Sequence, residues 1–338
     1  MAFFQRKYAR FLPRHLLATM LGIALFFPLL SLAETPPSEA PQQFSLLDPY
    51  LDGSREYVSE KFVNFASSVD RFFGNEINFQ ESNKSVLQLN LTRVIEEGGN
   101  LGFAFSARAK LHLPTTEKRL HLLLETNPEK NLSAGSAPGR STPQGQQSIF
   151  KEAVGPDTYS AALRFENRDD SPWRFSADAG LKLENLSLPP FVRSRLSYTT
   201  PLKAAQLKVT ESIFWFNSTG AGESTQLDID HRLSDALLFR FSNGATWLQD
   251  KNNFDLQQHF FLFQTLDEQH SVLYQLSSIG VTNPQTEVTE HIALVLYRQR
   301  LHRDWMFLEL SPQLHYPKVD NYRYNAQFFV RLDILFSK

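Results

Sequence analysis

Apolar and polar residues alternate one by one along most of the chain after residue 80, which is the spacing of side chains on the two faces of a β-strand. In residues 101–113 every second residue is Leu, Phe or Ala, and the residues between them are small or polar. The same pattern recurs in residues 173–184 and 322–336. It predicts strands near residues 85–95, 100–113, 118–126, 158–168, 172–184, 190–200, 204–216, 222–233, 235–248, 254–266, 270–281, 287–301, 304–316 and 322–336.

These segments predict an all-β fold, a transmembrane antiparallel β-barrel of about 14 strands, within a range of about 12 to 16. Most segments are close to the roughly 10 residues that a tilted strand needs to cross a bilayer. Alternate links are very short, and several links between them are expected to be longer, the longest spanning residues 127–157. Tight turns at one rim and looser loops at the other are typical of such a barrel.

A soluble antiparallel sheet also alternates, so the period alone does not separate it from a membrane barrel. The mean hydropathy of −0.31 and the lack of predicted helices that could cover the apolar face favour lipid outside and water inside. Aromatic residues near strand ends, among them Trp173, Trp215, Trp247, Tyr316 and Tyr322, favour the same environment. A soluble periplasmic β protein is the more distant alternative.

Three segments precede the predicted barrel, which is assigned residues 84–338. Residues 1–33 join a basic start to an apolar run ending in Ser31-Leu32-Ala33, which predicts a signal peptide cleaved near Ala33; an uncleaved anchor helix is the alternative. Residues 34–52 form a Pro-rich leader. Residues 53–75 repeat apolar residues every three or four positions and predict a periplasmic amphipathic helix. This helix packs on its own domain, plugs the barrel, lies on a membrane or binds a partner.

The composition excludes several classes of protein. The absence of Cys excludes disulfide scaffolds, thiol catalysis and Cys-ligated zinc. A hydrophobic content of 42% argues against a disordered chain. The formal net charge of −2 argues against nucleic acid as a partner. Cleavage near Ala33 would remove Arg6, Lys7, Arg10 and Arg14 and no acidic residue, so the mature chain is more acidic still.

Candidate chemistry is sparse. No familiar catalytic or phosphate-binding motif occurs. Ser218, in a predicted loop, could serve a Ser/His hydrolase, but no paired base can be identified, so no catalytic residue is assigned and an enzyme is the less favoured interpretation. Asp228 and Asp230 have a spacing that oxygen-seeking cations use, yet the same spacing is that of any inward strand face. No metal and no cofactor are expected.

The polar faces of the predicted strands carry the most informative residues. We expect these residues to line the lumen, the space that the barrel encloses: Arg108, Lys110, Arg164, Arg174, Arg193, Arg195, Asp228, Asp230, Arg240, Arg298, Arg300, Glu309, Arg331 and Asp333. Basic residues outnumber acidic ones on this face, although the mature chain is net acidic. Two interpretations stay open, namely a salt-bridged wall that leaves little pore and a lumen that prefers anions.

Two resemblances accompany these patterns. The last strand, ending in Arg331-Leu332-Asp333-Ile334-Leu335-Phe336, resembles the C-terminal assembly signal of bacterial outer-membrane proteins, although Phe336 is not the final residue. Residues 69–338 resemble a family of uncharacterised proteobacterial exported proteins, in the segments Asp70-Arg71-Phe72-Phe73-Gly74, Glu96-Glu97-Gly98-Gly99 and His302 to Pro312. The resemblance implies a shared architecture and brings no activity with it.

Together these features predict an outer-membrane β-barrel that provides a channel or binding site for a small or anionic solute, or has a structural role in the envelope. Its expected partners are outer-membrane lipid, the barrel-assembly machinery and the solute. An outer-membrane lipid hydrolase or deacylase is the alternative function.

Overall fold

The computed structural model describes residues 69, 72–73, 85–99, 101–113, 119–126, 128, 158–167, 171–184, 186–202, 205–217, 219–250, 252–302 and 305–337. The predicted signal peptide, the leader and most of the predicted helix lie outside these residues. Among the described residues, no helix is long and apolar enough to cross a membrane. The chain divides after Pro49, and the unit Tyr50–Lys338 contains every described residue.

Fourteen strands occur within the described residues, and they form one closed antiparallel barrel in which each strand pairs with its neighbours in sequence. The predicted fold class is thereby confirmed. The strands are β1 (Val86–Glu96), β2 (Leu101–His112), β3 (Leu120–Thr126), β4 (Tyr159–Glu166), β5 (Trp173–Leu183), β6 (Pro190–Pro201), β7 (Ala205–Phe216), β8 (Gly220–Arg232), β9 (Leu237–Leu248), β10 (Asn253–Thr265), β11 (His270–Val281), β12 (Glu287–His302), β13 (Met306–Pro317) and β14 (Asn325–Ser337).

The barrel closes between its first and last strands. β1 pairs with β14 along its whole length, from Val86 opposite Ser337 to Glu96 opposite Gln327. Closure satisfies the backbone hydrogen bonds of both strands, so neither is left as an open edge. We call the rim that holds Val86 and Ser337 the terminal rim, and the opposite rim the far rim.

Alternation along each strand sorts side chains between the lumen and the outer surface. Large apolar residues are exposed on the outer surface, such as Phe103 on β2, Leu163 on β4 and Leu276 on β11, the last with 60% of its surface accessible. The intervening residues are mostly buried and polar. An apolar outside around a polar inside is the reverse of a soluble sheet and is the arrangement expected of a barrel surrounded by lipid.

The predicted contrast between the two rims is largely wrong. The link between Thr126 and Tyr159, two strand ends at the far rim, is long, but the far-rim links at 97–100, 217–219 and 249–252 are as short as those at the terminal rim. The physical reason is that a tight turn closes an antiparallel hairpin equally well at either rim.

The start of the last strand also differs from the prediction. β14 begins at Asn325, because Lys318–Asp320 form a 3-10 turn and Asn321 and Tyr322 have positive φ angles of 52° and 56°. Tyr322, which was expected on this strand, therefore lies in the turn, where its hydroxyl donates a hydrogen bond to the carbonyl of Val288. The register puts Glu309 of β13 directly opposite Arg331 of β14.

Candidate functional site

The residues predicted to line the lumen all lie in strands, at the alternating positions that face inward. Most of them are buried, whereas Arg108, Arg300 and Arg331 are half-buried. Arg174 is exposed because it lies at the terminal-rim end of β5. A role for these residues in handling a solute stays a prediction, and the structure adds the partners that each of them contacts.

One charge cluster crosses β3 to β6, and we call it the first cluster. Asp178 lies directly between Arg164 and Arg193 in the register of β4, β5 and β6. Arg164 donates two hydrogen bonds to the Asp178 carboxylate, at 2.6 and 2.8 Å, and Arg193 donates a third at 2.7 Å. Arg193 also contacts Glu125 on β3 at 3.1 Å. Bidentate geometry of this kind holds the guanidinium groups in fixed orientations.

The first cluster extends toward the terminal rim through Glu166. The Lys110 ammonium lies 2.5 Å from one Glu166 oxygen, and Nε2 of His121 lies 3.4 Å from the other. At the other end, Arg193 reaches the carbonyl of Pro128 at 3.4 Å. Pro128 is buried and begins the 127–158 link, so this link turns inward as it leaves β3.

A second cluster joins β12, β13, β14 and β1 across the barrel closure. Arg298 bridges the carboxylates of Glu309 and Asp333, and it lies 2.5 Å from the latter. Arg331 contacts the second Glu309 oxygen at 3.3 Å. Gln88 on β1 donates to Asp333 at 3.1 Å and accepts from Arg108 at 2.9 Å. The first and last strands are therefore held together by side chains as well as by backbone pairing.

The two aspartates singled out as metal candidates have separate partners. Asp230 accepts two hydrogen bonds from Arg240, at 2.6 and 2.7 Å, whereas Asp228 accepts from the Gln226 amide at 2.8 and 2.9 Å. His231, which follows Asp230 in the sequence, occupies an outward position on the same strand. Within the described ranges, no group of three ligating side chains could hold a metal ion.

The hydrolase alternative depends on Ser218, which lies outside the described residues. Its neighbour Asn217 directly follows β7, and its backbone N–H donates to the carbonyl of Pro190. The structure therefore adds no base beside this serine and leaves the alternative as it stood.

Neutral polar side chains recur at inward positions along β8 to β11, in the part of the wall between the two clusters, and the sequence reasoning missed them. Ser277 lies 2.7 Å from Nδ1 of His259 and accepts from the Gln275 amide at 2.7 Å. Ser224 and Thr246 share a hydrogen bond of 2.9 Å. In the described part of the chain, the side-chain oxygens of Gln226 and Gln275 are buried and accept no hydrogen bond. The signal was the recurrence of Ser and Gln at inward positions, which single-residue motifs do not capture.

Part of the inward wall is apolar, and this feature was also missed. Near the terminal rim, Val69 and Phe73, which precede the barrel in sequence, are buried among inward-facing residues of β9 to β12, with Phe72 packed beside them. We call these wall residues the apolar seat: Leu238, Phe261, Phe263, Leu273, Ile292, Leu294 and Leu296. Val69 and Phe72 are helical, and apart from Val69, Phe72 and Phe73 the segment predicted as a helix lies outside the described residues.

Aromatic and cationic contacts complete the seat. The ring centroid of Phe73 lies 5.2 Å from that of Phe263, and Phe72 lies 5.7 Å from Phe307 on β13, both in edge-to-face geometry. The Arg300 guanidinium lies 5.5 Å from the Phe72 ring. Such contacts stabilise aromatic pairs beyond simple burial. Val69, Phe72 and Phe73 therefore occupy the lumen and not the outer surface of the barrel.

The comparisons with known proteins are remote. No family model and no curated protein matches the chain. A bacterial polysaccharide outer membrane secretin is 10% identical, covers 76% of this chain and 99% of its own, and has a TM-score of 0.46. OprB of Pseudomonas putida is 8% identical over 75% of this chain and 94% of its own, with a TM-score of 0.46. The outer membrane channel DcaP of Acinetobacter baumannii is 8% identical over 75% and 96%, with a TM-score of 0.42. None of them bears on what this chain does.

Proposed function

We propose that the chain is an exported outer-membrane β-barrel whose lumen binds or conducts a small solute, with anions preferred over cations. One observation carries this proposal: the closed barrel has an apolar outer surface and an inner wall of ordered charged groups. An inner wall that only stabilised the barrel would need no excess of positive over negative charge. In a solute pathway, such an excess favours the passage of anions over cations.

The outer surface supports the membrane location. Exposed Leu, Phe, Val and Ile on the outward faces would be unfavourable in water and are favourable in hydrocarbon. Outer-membrane lipid is therefore the proposed partner of this surface, and a signal peptide cleaved near Ala33 is the proposed route of export. The terminal strand, with Phe336 exposed near its end, is the segment that we propose the barrel-assembly machinery recognises.

The inner wall supports the preference for anions. Basic residues exceed acidic ones among the inward positions of the described strands. The basic positions are Arg108, Lys110, Arg164, Arg174, Lys182, Arg193, Arg195, Lys208, Arg232, Arg240, Arg298, Arg300 and Arg331, and the acidic ones are Glu96, Glu125, Glu166, Asp178, Asp228, Asp230, Asp255, Glu290, Glu309 and Asp333. Each acid lowers the local potential, and the remaining excess attracts anions into the low-dielectric interior.

The seated residues Val69, Phe72 and Phe73 occupy the lumen near the terminal rim. A solute that crosses the barrel must pass this obstruction, so the seated form is proposed as the resting, closed form. Conduction then requires these residues to leave the apolar seat, at least in part. An aqueous lumen is otherwise expected to be polar, so an apolar patch facing inward fits a built-in occupant better than it fits a solute.

The experiment is ion selectivity in planar bilayers, with the refolded protein between chambers that differ tenfold in KCl concentration. We expect current steps whose reversal potential has the same sign as the chloride equilibrium potential, which means that chloride passes more readily than potassium. Neutralising Arg195 and Lys208 as Arg195→Gln with Lys208→Gln should move the reversal potential toward zero, since it removes two inward charges.

Two outcomes would contradict the proposal. A reversal potential with the sign of the potassium equilibrium potential would overturn the preference for anions. A folded protein that carries no current, even after the seated residues are displaced by substitution, would leave only the salt-bridged wall as the role of the inward charges.

A further inference from the structure

The outer surface of the barrel is not uniform. On β13, β14 and β1 to β5 the outward residues are apolar or small, apart from Arg93 and Thr126. On β7 to β12, by contrast, polar residues interrupt the apolar surface on every strand. We call this row the polar stripe: Glu211, Glu223, Thr225, Asn243, Gln258, Ser278 and His291.

Strand register makes the polar stripe nearly continuous. Glu211 lies opposite Thr225, Asn243 opposite Gln258, and Gln258 opposite Ser278, which lies opposite His291. Residues that face each other across a strand pair are the closest neighbours on that face of the sheet. The stripe is therefore one feature of the surface and not a set of scattered polar residues.

At each end of the polar stripe, one pair of side chains forms a hydrogen bond within the chain. Thr225 donates to a Glu211 oxygen at 2.7 Å, and Ser278 shares a hydrogen bond of 2.9 Å with Nδ1 of His291. The centre of the polar stripe has no such pair, because within the described strands the side-chain amides of Asn243 and Gln258 form no hydrogen bond. Both lie near the middle of their strands, Leu237–Leu248 and Asn253–Thr265.

Two neighbouring amides at mid-height are costly on a surface that faces hydrocarbon. Water is absent there, so a polar group that has no hydrogen-bond partner is strongly unfavourable. Both side chains are too short to reach the interfacial water from the middle of a strand. A protein partner that supplies the missing hydrogen bonds removes this cost.

We infer that the polar stripe is the contact surface of a homodimer, with a second copy of this chain docked across Asn243 and Gln258. An amide both donates and accepts, so two identical amide pairs satisfy each other across a two-fold axis along the membrane normal. The centre carries no charge, so identical faces meet there without repulsion. Lipid headgroups remain at the interface with water and do not reach this depth. The inference rests on the proposed membrane location and not on conduction.

The test uses cross-linking, and the chain is well suited to it because it contains no Cys. Asn243→Cys and Gln258→Cys are made separately, and outer membranes are treated with a mild oxidant. We expect each variant to form a disulfide-linked dimer that reductant returns to monomer. Phe105→Cys is the matched control, since Phe105 faces outward at mid-strand on β2, on the far side of the barrel.

A second measurement separates contact from chance collision. The reporter variant Ala245→Cys, outward on β9, should cross-link in an otherwise unchanged chain and lose most of that product when combined with Asn243→Leu and Gln258→Leu. The barrel should remain folded, as judged by faster gel migration before heating than after.

The inference is overturned if folded Asn243→Cys and Gln258→Cys cross-link no more than Phe105→Cys, or only to a protein of different mass. It is also overturned if the two leucines leave dimer formation unchanged. Recovery of the chain outside the outer membrane would instead contradict the proposed location, and a dimer without current would contradict only the proposed conduction.

Discussion

Asp178 shows how much a single inward residue can depend on its partners. It is buried between two arginines and accepts hydrogen bonds from both. Asp178→Asn removes the carboxylate that lies between Arg164 and Arg193, so the two buried guanidinium groups lose the negative charge that they share. We expect this change to lower the free energy of unfolding by about 3 to 5 kcal/mol. Urea unfolding in lipid vesicles measures this cost.

Asp235→Asn is the control for this substitution. Asp235 pairs with Arg232 in the exposed turn after β8, where 98% of the aspartate side chain is accessible. A pair of this kind contributes roughly 0 to 1 kcal/mol. Equal effects of the two substitutions would show that the first cluster is as well hydrated as the surface, which is the behaviour of a wide aqueous pore.

Gly180 marks a place where the wall has no room for a side chain. A Cβ atom built there would lie 2.3 Å from the backbone oxygen of Ala161 and 2.6 Å from the Ala162 Cβ. Because backbone cannot move aside cheaply, we expect Gly180→Ala to destabilise the barrel by about 1 to 3 kcal/mol. At Gly244 the obstructing atoms belong to the flexible Gln257 side chain. Gly244→Ala should therefore have the smaller effect on the urea midpoint, and the opposite order would contradict this argument.

At the scale of elements, the apolar seat depends on Val69, Phe72 and Phe73, and they depend on it. Val69→Asp combined with Phe73→Asp places two carboxylates against Leu238, Phe263 and their neighbours, where a charge is strongly disfavoured. We expect these residues to leave the seat and the mean current in planar bilayers to rise several-fold at the same voltage.

Tyr324→Asp serves as the control for that experiment, because Tyr324 is exposed in the turn before β14. It adds a carboxylate to the far rim and should leave the current near that of the parent protein. If the folded double variant and the parent protein carry the same current, then Val69, Phe72 and Phe73 do not obstruct the lumen.

At the scale of the whole molecule, closure depends on β14. Its removal by truncation before Asn325 would expose the edges of β1 and β13 and would also take Arg331 and Asp333 from the second cluster. Open edges are not tolerated in hydrocarbon. We expect the truncated chain to lose the fast-migrating unheated form on gels and to be absent from the outer membrane. Normal assembly would show that β13 and β1 can close the barrel alone.

Local pattern determined most of the fold. The strands follow the alternation of residues closely, because each side chain in a two-sided sheet faces one environment, and the amino acid at each position is suited to that environment. The inward positions of Arg164, Arg298 and Asp333 could be predicted for the same reason. The turn that holds Tyr322 could not be predicted, because apolar and polar residues go on alternating from Tyr322 to Asn325 although the backbone there does not form a strand.

The apolar seat left a trace in the sequence, though an ambiguous one. Around Leu238, from Phe260 to Phe263 and from Ile292 to Tyr297, apolar residues occupy consecutive positions instead of alternate ones. Such runs show that both faces are apolar, but they do not tell which segment covers the inner face. Only the tertiary structure brings Val69 and Phe73 onto it, from a part of the chain that precedes the first strand.

The sequence by itself determined that the chain forms strands of membrane-spanning length with one apolar and one polar face. It also determined which charged residues share the inner face, because side-chain direction is a property of each strand alone. The tertiary structure decided which charges meet, that Arg298 bridges Glu309 and Asp333, and that Asn243 and Gln258 lie side by side. These outcomes depend on the register between strands and on closure of the barrel, and a shift of one residue between two strands would replace every such pair without altering the pattern along either strand.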